Sequence, residues 1–273
     1  MPITFGIVGG DKRQIYLAQA LSSDAHIVYL NGLEQAEGAD DFQHISLPDI
    51  GRLCEVVILP LPATRDGKKL NAPFTSQEIF LGQDFAKAVA GCKVIGGMTS
   101  QLPKAGTWKQ ISPLDYYDRE ELIIGNAMLT AEAAIAIAIQ TFPATLNHSS
   151  CLVTGFGRIG KWLCHMLKAF HANVDCAARK KSDFMEIENR GCRPIEYKNI
   201  SQKYDIIFNT VPVQVLGKKQ LIHQDANTLI IELASAPGGI CLEAAKEQNL
   251  RVMNAPKTSG EYIKQTIYNI LEE

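Results

Sequence analysis

Short apolar runs and longer amphipathic stretches alternate along the whole chain, which predicts parallel β-sheets with helices on both faces. In the first half, apolar runs of strand type occupy Thr4–Val8, His26–Leu30, Val56–Leu59, Lys93–Ile95 and Leu122–Ile124. Helical patterns lie at about 13–21 and 77–90, and Gly- and Pro-containing stretches at 61–73 and 96–113 predict loops. The second half repeats the alternation, with strands at 150–154, 173–178, 206–209, 228–232 and 251–253 and a last helix at about 259–271.

An alanine-rich segment separates the two halves. Thr130 is a fair N-cap, the residues that follow favour helix, and Pro143 ends the pattern. Its apolar faces are nearly continuous, which predicts an interdomain helix at 129–142 buried between two bodies. We therefore expect an α/β protein of two Rossmann-like, doubly wound domains with a cleft between them. The first comprises 1–128 with a returning C-terminal helix at 259–273, and the second comprises 129–258.

A glycine-rich run lies between the strand at 150–154 and the helix that follows it. Gly155 allows a tight turn, Gly157 lets backbone approach a pyrophosphate, and Gly160 lets the helix pack closely on the sheet. Arg158 and Ile159 open the helix, whose free N–H groups would meet the anion. These five residues predict a dinucleotide site in the second domain.

The end of the next strand distinguishes the two nicotinamide cofactors. An NAD site places Asp or Glu there to hold the ribose 2′-hydroxyl, whereas this chain has Arg179, Lys180 and Ser182. Basic and hydroxyl groups suit a 2′-phosphate, so the pattern favours NADP over NAD. The alternative interpretation is a solvated cationic turn.

Two further strand ends in the second domain are candidates for the nicotinamide half of the cofactor. Asn209, Thr210 and Pro212 follow the strand at 206–209. Ala234 and Ser235 follow the next strand, where small residues permit close approach of the ring.

Polar strand ends of the first domain are candidates for the substrate. Gly9 and Gly10 precede Asp11 and Arg13, and Arg13 suits a bidentate grip on a carboxylate. The alternative is a glycine turn in which Asp11 caps a helix. The other members of this expected rim are Thr64, Arg65, Gly97, Thr99 and Ser100, each of which taken alone suits a turn.

Glu132 is an acidic residue within the apolar linker helix, beside Thr130. Desolvation would make it a candidate general acid or base. The competing interpretation is a first-turn Glu that favours the helix dipole. The six histidines are scattered and show no His–carboxylate pair, which argues against a routine 2-hydroxy acid dehydrogenase.

Composition narrows the function classes. A formal charge of -2 with 21% charged residues implies neither nucleic acid nor an anionic membrane as a partner. We expect no apolar run long enough to span a bilayer, and the start of the chain shows no basic leader. Seven scattered cysteines predict neither disulfides nor a metal site, as in a cytoplasmic protein.

The chain resembles the dipicolinate synthase A-subunit family over nearly its whole length. The matching segments are Gly9-Gly-Asp-x-Arg-Gln14, Ile58-Leu-Pro60 with Ala63-Thr64, Asn126…Thr130-x-Glu132, Gly155-x-Gly-Arg-x-Gly160, Asn209-Thr-x-Pro212, Leu233-Ala-Ser235 with Pro237-Gly-Gly239, and Lys257-Thr258. The first-domain segments in that order are the specific part. Lys257 is a further candidate catalytic residue, and in contrast to the family this chain lacks a Gly/Pro-rich loop before it.

The resemblance implies an NADP-dependent subunit that acts with a flavoprotein-like B subunit in the mother cell of a spore-forming bacterium. It would oxidise a dihydrodipicolinate-type diacid to dipicolinate. In that scheme Arg13, Thr64, Thr99 and Ser100 hold the diacid, and Glu132 or a water takes the proton. The alternatives are a 2-hydroxy acid or amino acid dehydrogenase and a non-catalytic NADP-binding partner subunit. The sequence leaves open whether the chain forms a homo-oligomer.

Overall fold

The computed structural model describes residues 1–235, 237–254 and 260–273. The chain divides into two compact units, Met1–Asn126 with Lys257–Glu273, and Ala127–Pro256. Each unit contains one six-stranded sheet in which every pairing is parallel.

The sheet of the first unit has the strand order β3-β2-β1-β4-β5-β6. Its strands are β1 (Thr4–Val8), β2 (Ile27–Asn31), β3 (Gln43–His44), β4 (Val56–Ile58), β5 (Lys93–Gly96) and β6 (Leu114–Asp115). Its helices are α1 (Lys12–Ser23), α2 (Leu47–Leu53) and α3 (Gln83–Val89), and α4 (Glu120–Thr141) begins in this unit.

The sheet of the second unit has the equivalent order β12-β11-β10-β7-β8-β9. Its strands are β7 (Ser150–Thr154), β8 (Asn173–Ala177), β9 (Arg193–Ile195), β10 (Ile206–Asn209), β11 (Leu229–Glu232) and β12 (Arg251–Asn254). Its helices are α5 (Arg158–Ala169), α6 (Lys181–Asn189), α7 (Lys218–Leu221) and α8 (Leu242–Glu247), while α9 (Gly260–Glu272) belongs to the first unit.

Both strand orders run outward in two directions from the first strand of the sheet, which is the doubly wound arrangement predicted from the alternating pattern. Apolar clusters fill both faces of each sheet, so the strands are continuous hydrophobic runs. The predicted fold class is confirmed. In such sheets ligands bind beyond the carboxyl ends of the strands, where the strand order reverses. In the second unit that point lies between β7 and β10.

The strand predicted at Leu122–Ile124 is wrong, because these residues lie in the first turns of α4. A short apolar run has the same appearance in a strand and in a buried helix, and the sequence pattern did not separate them. Since α4 begins at Glu120, Thr130 lies in the helix interior and is not its N-cap, and Glu132 is not a first-turn residue.

At 22 residues, α4 is long and apolar enough to cross a membrane by length and composition, as the core helix of a soluble protein also can be. The expectation that no apolar run reaches this length is therefore wrong. Leu122 is buried in the core of the first unit, and Ala131, Ala134 and Ala138 are buried in the core of the second.

The C-terminal helix α9 packs into the first unit. Ile263, Ile267 and Ile270 lie in the same buried cluster as residues of α1 and β1. The Lys93 ammonium donates to the Ile270 carbonyl at 3.0 Å, near the end of the helix where cations are favourable.

Candidate functional site

The glycine-rich turn of the second unit has the backbone geometry that its sequence predicts. Gly155 follows the buried strand β7 with φ 93°, a conformation that favours glycine. A Cβ on Gly160 would lie 2.0 Å from the carbonyl oxygen of Gly155, so only glycine lets α5 approach the turn this closely. Among the described residues, a Cβ on Gly157 would meet no atom within 4 Å, which leaves space in front of its backbone.

The first turn of α5 is suited to an anion. Gly157 is its N-cap, no side chain in the part of the chain that the structure describes caps its N–H groups, and no acidic residue lies in its first turn. Uncapped N–H groups and the positive end of the helix dipole favour a phosphate at this position.

A cavity of about 1090 Å³ opens in front of this turn. Its walls are the glycine turn, the end of β8, the segment after β9 and the loop after β10. Its cationic lining residues are Arg158, Lys161, Arg179, Lys180, Lys198, Lys218 and Lys219, whereas Asp183 is the acidic residue that the described lining contains. A nucleotide with several phosphates matches both the size and the charge of this cavity.

Three of these cations are neutralised by neighbouring acids. Lys161 pairs with Glu186 at 2.8 Å, Lys198 with Glu196 at 2.6 Å, and Lys218 with Glu247 at 2.7 Å. In contrast, Arg179 and Lys180 are exposed at the end of β8 and take part in none of the ion pairs found among the described residues. They are therefore available to an incoming anion.

Ser182 and Ile159 are among the predicted cofactor residues that lie outside the described cavity lining. Ser182 is exposed in the first turn of α6. The neighbouring Asp183 lines the cavity instead. Ile159 is half-buried and packs against the core of the second unit.

Tyr197, in the segment after β9, was missed by the sequence analysis together with the neighbouring Lys198. Both line the cavity, and burial raises the pKa of the Tyr197 phenol. The three-residue strand β9 places them there. The missed signal is the apolar pair Pro194–Ile195 before this tyrosine, which is too short to stand out as a strand.

The residues after β10 divide between the cavity and the interior. Thr210 and Pro212 line the same cavity as Arg179. Asn209 is fully buried and its side chain is engaged within the protein, since it accepts from Thr154 Oγ1 at 2.5 Å and donates to Glu232 Oε1 at 2.6 Å.

Ala234 and Ser235, predicted to approach the nicotinamide, are not part of the described cavity lining. The Ala234 N–H donates to Glu232 Oε1 at 2.9 Å, and the Ser235 carbonyl accepts from Gly238 N at 2.9 Å. Their predicted contacts with cofactor stay a prediction.

In the first unit Arg13 is buried and already paired. Its Nε donates to Asp11 Oδ1 at 2.8 Å, a second nitrogen donates to Asp11 Oδ2 at 2.9 Å, and the same nitrogen donates to the Leu61 carbonyl. Asp11 also caps α1 in a capping box with Gln14. The structure thus contains the helix-cap arrangement considered as the alternative for this segment, and the substrate role of Arg13 and Asp11 stays a prediction.

The turn at Gly9 and Gly10 is covered by the chain itself. The Gly10 N–H donates to the Asn71 carbonyl at 2.8 Å, and a Cβ on Gly9 would lie 2.7 Å from Leu70 Cδ2. In this arrangement the loop 61–73 occupies the place where the second unit has its open cavity.

Most of the expected rim residues stabilise their own loops. Thr64 is buried and donates to the Lys69 carbonyl at 2.6 Å. The hydroxyl and N–H of Thr99 both donate to Asp115 Oδ2, at 3.0 and 2.6 Å. Gly97 packs beneath Leu61, where a Cβ would lie 2.6 Å from Leu61 Cδ1.

Arg65 and Ser100 are the members of the rim with exposed side chains. Glu132 is also exposed, so the desolvation expected for it is absent. Thr130 is half-buried within α4. Lys257, proposed as catalytic, lies outside the described residues, as do Thr258 and most of the 254–258 loop.

Comparison with known proteins agrees with this division of the chain. Residues 4–114 match the family described as the N-terminal domain of the dipicolinate synthase A-subunit. Residues 131–234 match the NAD-binding domain of D-isomer specific 2-hydroxyacid dehydrogenases. The dipicolinate synthase A-subunit of Bacillus subtilis (strain 168) is 27% identical over 286 residues, covering 99% of this chain and 96% of the relative.

The chain is similar over nearly its whole length to dipicolinate synthase A-subunits. The crystal structure of the dipicolinate synthase A-subunit from Bacillus subtilis has a TM-score of 0.72 and 26% identity, covering 99% of this chain and 95% of that one. The A-subunit from Bacillus halodurans shares the fold with a TM-score of 0.74, at 24% identity over 99% of this chain and 98% of that one.

The match to a dehydrogenase-type domain, together with the similarity to the A-subunit, gives the second unit a role. It is a nicotinamide-dinucleotide-binding domain, and the chain is a dehydrogenase-like oxidoreductase.

Proposed function

We propose that the chain is an NADP-dependent dehydrogenase that oxidises a dihydrodipicolinate-type diacid to dipicolinate. The choice of NADP over NAD rests on Arg179 and Lys180 at the end of β8. Both side chains are exposed, line the cavity and form no ion pair among the described residues. Guanidinium and ammonium groups at this strand end suit a ribose 2′-phosphate.

The residues present fit the whole dinucleotide. Gly155 and Gly157 with the first turn of α5 would hold the pyrophosphate, and Gly160 keeps that turn in place. Arg179 and Lys180 would hold the 2′-phosphate, while Thr210 and Pro212 form the opposite wall. When bound, the nicotinamide supplies the hydride acceptor, so a dihydropyridine dicarboxylate loses one hydride and one proton and becomes aromatic.

We assign binding of the diacid to the first unit. Arg65 and Ser100 keep exposed side chains after β4 and β5, whose carboxyl ends lie at one edge of a parallel sheet. Arg13 keeps its pairing with Asp11 and holds the Leu61 carbonyl, which shapes the loop that carries Arg65. A bound water or Glu132 would accept the proton released from the ring.

Similarity to the dipicolinate synthase A-subunit supports a cellular setting for this reaction. We propose that the chain acts in the cytoplasm of the mother cell of a spore-forming bacterium. Its partner there would be a flavoprotein-like B subunit.

The test is an ultraviolet assay for the aromatic product, given the dihydrodipicolinate-type precursor and NADP⁺, with and without the B subunit. We expect product absorbance that depends on NADP⁺ and an equal amount of NADPH. Product that forms at the same rate without NADP⁺ would contradict the proposal. Product seen only with the B subunit would favour a cofactor-binding subunit that is inactive alone.

A second candidate is oxidation of a 2-hydroxy acid, favoured by the match of residues 131–234 to that class of dehydrogenase. Such enzymes use a histidine near the nicotinamide as acid or base. Among the described residues no histidine lines the cavity. A screen of 2-hydroxy acids with NADP⁺ and NAD⁺ separates this candidate from the first.

A further inference from the structure

Glu232, at the end of β11, has a carboxylate that accepts three N–H groups. Oε1 accepts from Asn209 Nδ2 at 2.6 Å and from Ala234 N at 2.9 Å, and Oε2 accepts from Gly239 N at 3.1 Å. Both oxygens are therefore used to hold the start and the end of the loop that follows the strand. A carboxylate suits this task because it accepts at both oxygens and donates at neither.

Asn209 connects this carboxylate to the wall of the cavity. Its Nδ2 also donates to the Val211 carbonyl at 3.0 Å, and its Oδ1 accepts from Val211 N at 3.3 Å. Val211 and Thr210 line the cavity, and a Cβ on Gly155 would lie 2.9 Å from Val211 Cγ2. A chain of direct contacts thus runs from Glu232 through Asn209 to the glycine turn.

Two glycines let the loop after β11 pack against the network of hydrogen bonds that joins Glu232 to Asn209, Ala234 and Gly239. A Cβ on Gly239 would lie 2.5 Å from Asn209 Nδ2, and one on Gly238 would lie 3.0 Å from Glu232 Oε2. The described ends of the loop are therefore packed against the Glu232–Asn209 pair without space for larger residues. The same carboxylate accepts from Ala234 N and Gly239 N, so it holds both described ends of the loop.

The position of the network relates it to one half of the dinucleotide. Arg179 and Lys180 place the adenosine half at the β8 side of β7, and a dinucleotide crosses the sheet at the point where the strand order reverses. The nicotinamide half then falls at the carboxyl ends of β10 and β11. These are the two strands that end in Asn209 and Glu232.

We propose that Glu232 is a positioning residue for the nicotinamide half of the cofactor. Through Asn209 and the loop ends at Ala234 and Gly239 it fixes the backbone that this half contacts, without touching the cofactor itself. The inference rests on the proposed function, because it assumes a dinucleotide in the cavity.

Replacing Glu232 by Gln tests the proposal with almost no change in size. One oxygen becomes an NH₂ group, which faces an N–H donor and cannot accept from it. Loss of a hydrogen bond to a charged group corresponds to about a tenfold loss of affinity where the loop contributes to binding. The probes are NADP⁺ and 2′,5′-ADP, which carries only the adenosine half, and calorimetry gives the Kd of each.

We expect E232Q to weaken NADP⁺ about tenfold and 2′,5′-ADP less than about twofold, because only NADP⁺ reaches the β10–β11 side. The matched control is Glu243→Gln, an exposed glutamate on α8, which should bind both probes as the unmodified chain does. Equal weakening of both probes in E232Q would mean a general structural role and would overturn the proposal, as would unchanged binding of both.

Thr154→Val is the second variant, in case E232Q does not fold. It keeps a β-branched side chain on β7 and removes only the bond from Thr154 Oγ1 to Asn209 Oδ1. We expect the same selective loss, about threefold for NADP⁺, and equal effects on both probes would again contradict the proposal. If the unmodified chain binds neither probe, the proposed function fails; if it binds both and neither variant is selective, only the role of Glu232 fails.

Discussion

Gly160 and Gly155 are in contact across the first turn of α5, with only 2.0 Å between a Cβ built on Gly160 and the Gly155 carbonyl oxygen. In contrast, no atom of residues 1–235, 237–254 and 260–273 beyond its chain neighbours lies within 4 Å of a Cβ built on Gly157. The two glycines therefore serve different purposes, one for packing and one for ligand approach.

This difference predicts opposite effects of two alanine substitutions. Gly160→Ala should lower the free energy of unfolding by about 1 to 3 kcal/mol, because the helix has to move away from the turn. Gly157→Ala should leave thermal stability unchanged but weaken NADP⁺ about tenfold or more, because its methyl group would fill the space assigned to the pyrophosphate. Thermal unfolding and calorimetry of both variants check this, and a stable Gly157→Ala variant that binds normally would contradict it.

Arg13 is predicted to act mainly on stability. Its removal leaves Asp11 and the Leu61 carbonyl without their partner in a mostly buried setting, so Arg13→Ala should cost about 2 to 4 kcal/mol in denaturant unfolding. Lys12→Ala, in the exposed pair with Glu37, is the matched control and should change little. If Arg13→Ala has normal stability and a raised KM for the diacid, Arg13 is a carboxylate anchor after all.

Stability at alkaline pH is predicted to depend on Cys151. Burial raises the pKa of this thiol from 9.0 to about 11. Above pH 9 the unfolded chain loses this proton while the folded chain keeps it, so stability is complete below pH 9 and falls as pH rises to about 11. This group contributes at most about 2 to 3 kcal/mol to the fall. Denaturant unfolding of Cys151→Ala should give a flatter dependence in this window, and a parallel curve would contradict it.

The C-terminal helix is predicted to be an integral part of the first unit. Ile267 is fully buried in the core of that unit, so Ile267→Ala should lower the free energy of unfolding by about 2 to 5 kcal/mol. Gln265→Ala, at an exposed position of the same helix, is the control and should change it little. Normal stability of Ile267→Ala in denaturant unfolding would mean that α9 does not contribute to the core.

The sequence predicted the doubly wound fold and the glycine turn because both depend on local pattern. Strand periodicity is visible over five or more residues, and Gly155, Gly157 and Gly160 have a spacing that only one kind of turn requires. Very short edge strands such as β3, β6 and β9 were missed, since two or three residues carry no periodicity.

The sequence did not show which polar side chains form hydrogen bonds within the protein and which stay exposed. Arg13, Thr64 and Thr99 follow strand ends as predicted, yet their hydrogen-bonding groups are used by Asp11, the Lys69 carbonyl and Asp115. Such pairings form between residues that only the folded chain brings together. The same reason hid the hydrogen bonds around Glu232.

The central claim is that the second unit binds a 2′-phosphorylated dinucleotide through Arg179 and Lys180. Calorimetric titration of the unmodified chain with NADP⁺ and NAD⁺, repeated on the Arg179→Ala/Lys180→Ala variant, tests it directly. Lys181→Ala, whose side chain is not in the described lining and lies 3.8 Å from Glu196, is the matched control. We predict that NADP⁺ binds at least about tenfold more tightly than NAD⁺, and that only the double variant loses this preference. Equal affinity for the two cofactors in the unmodified chain, or no heat with either, would contradict the account.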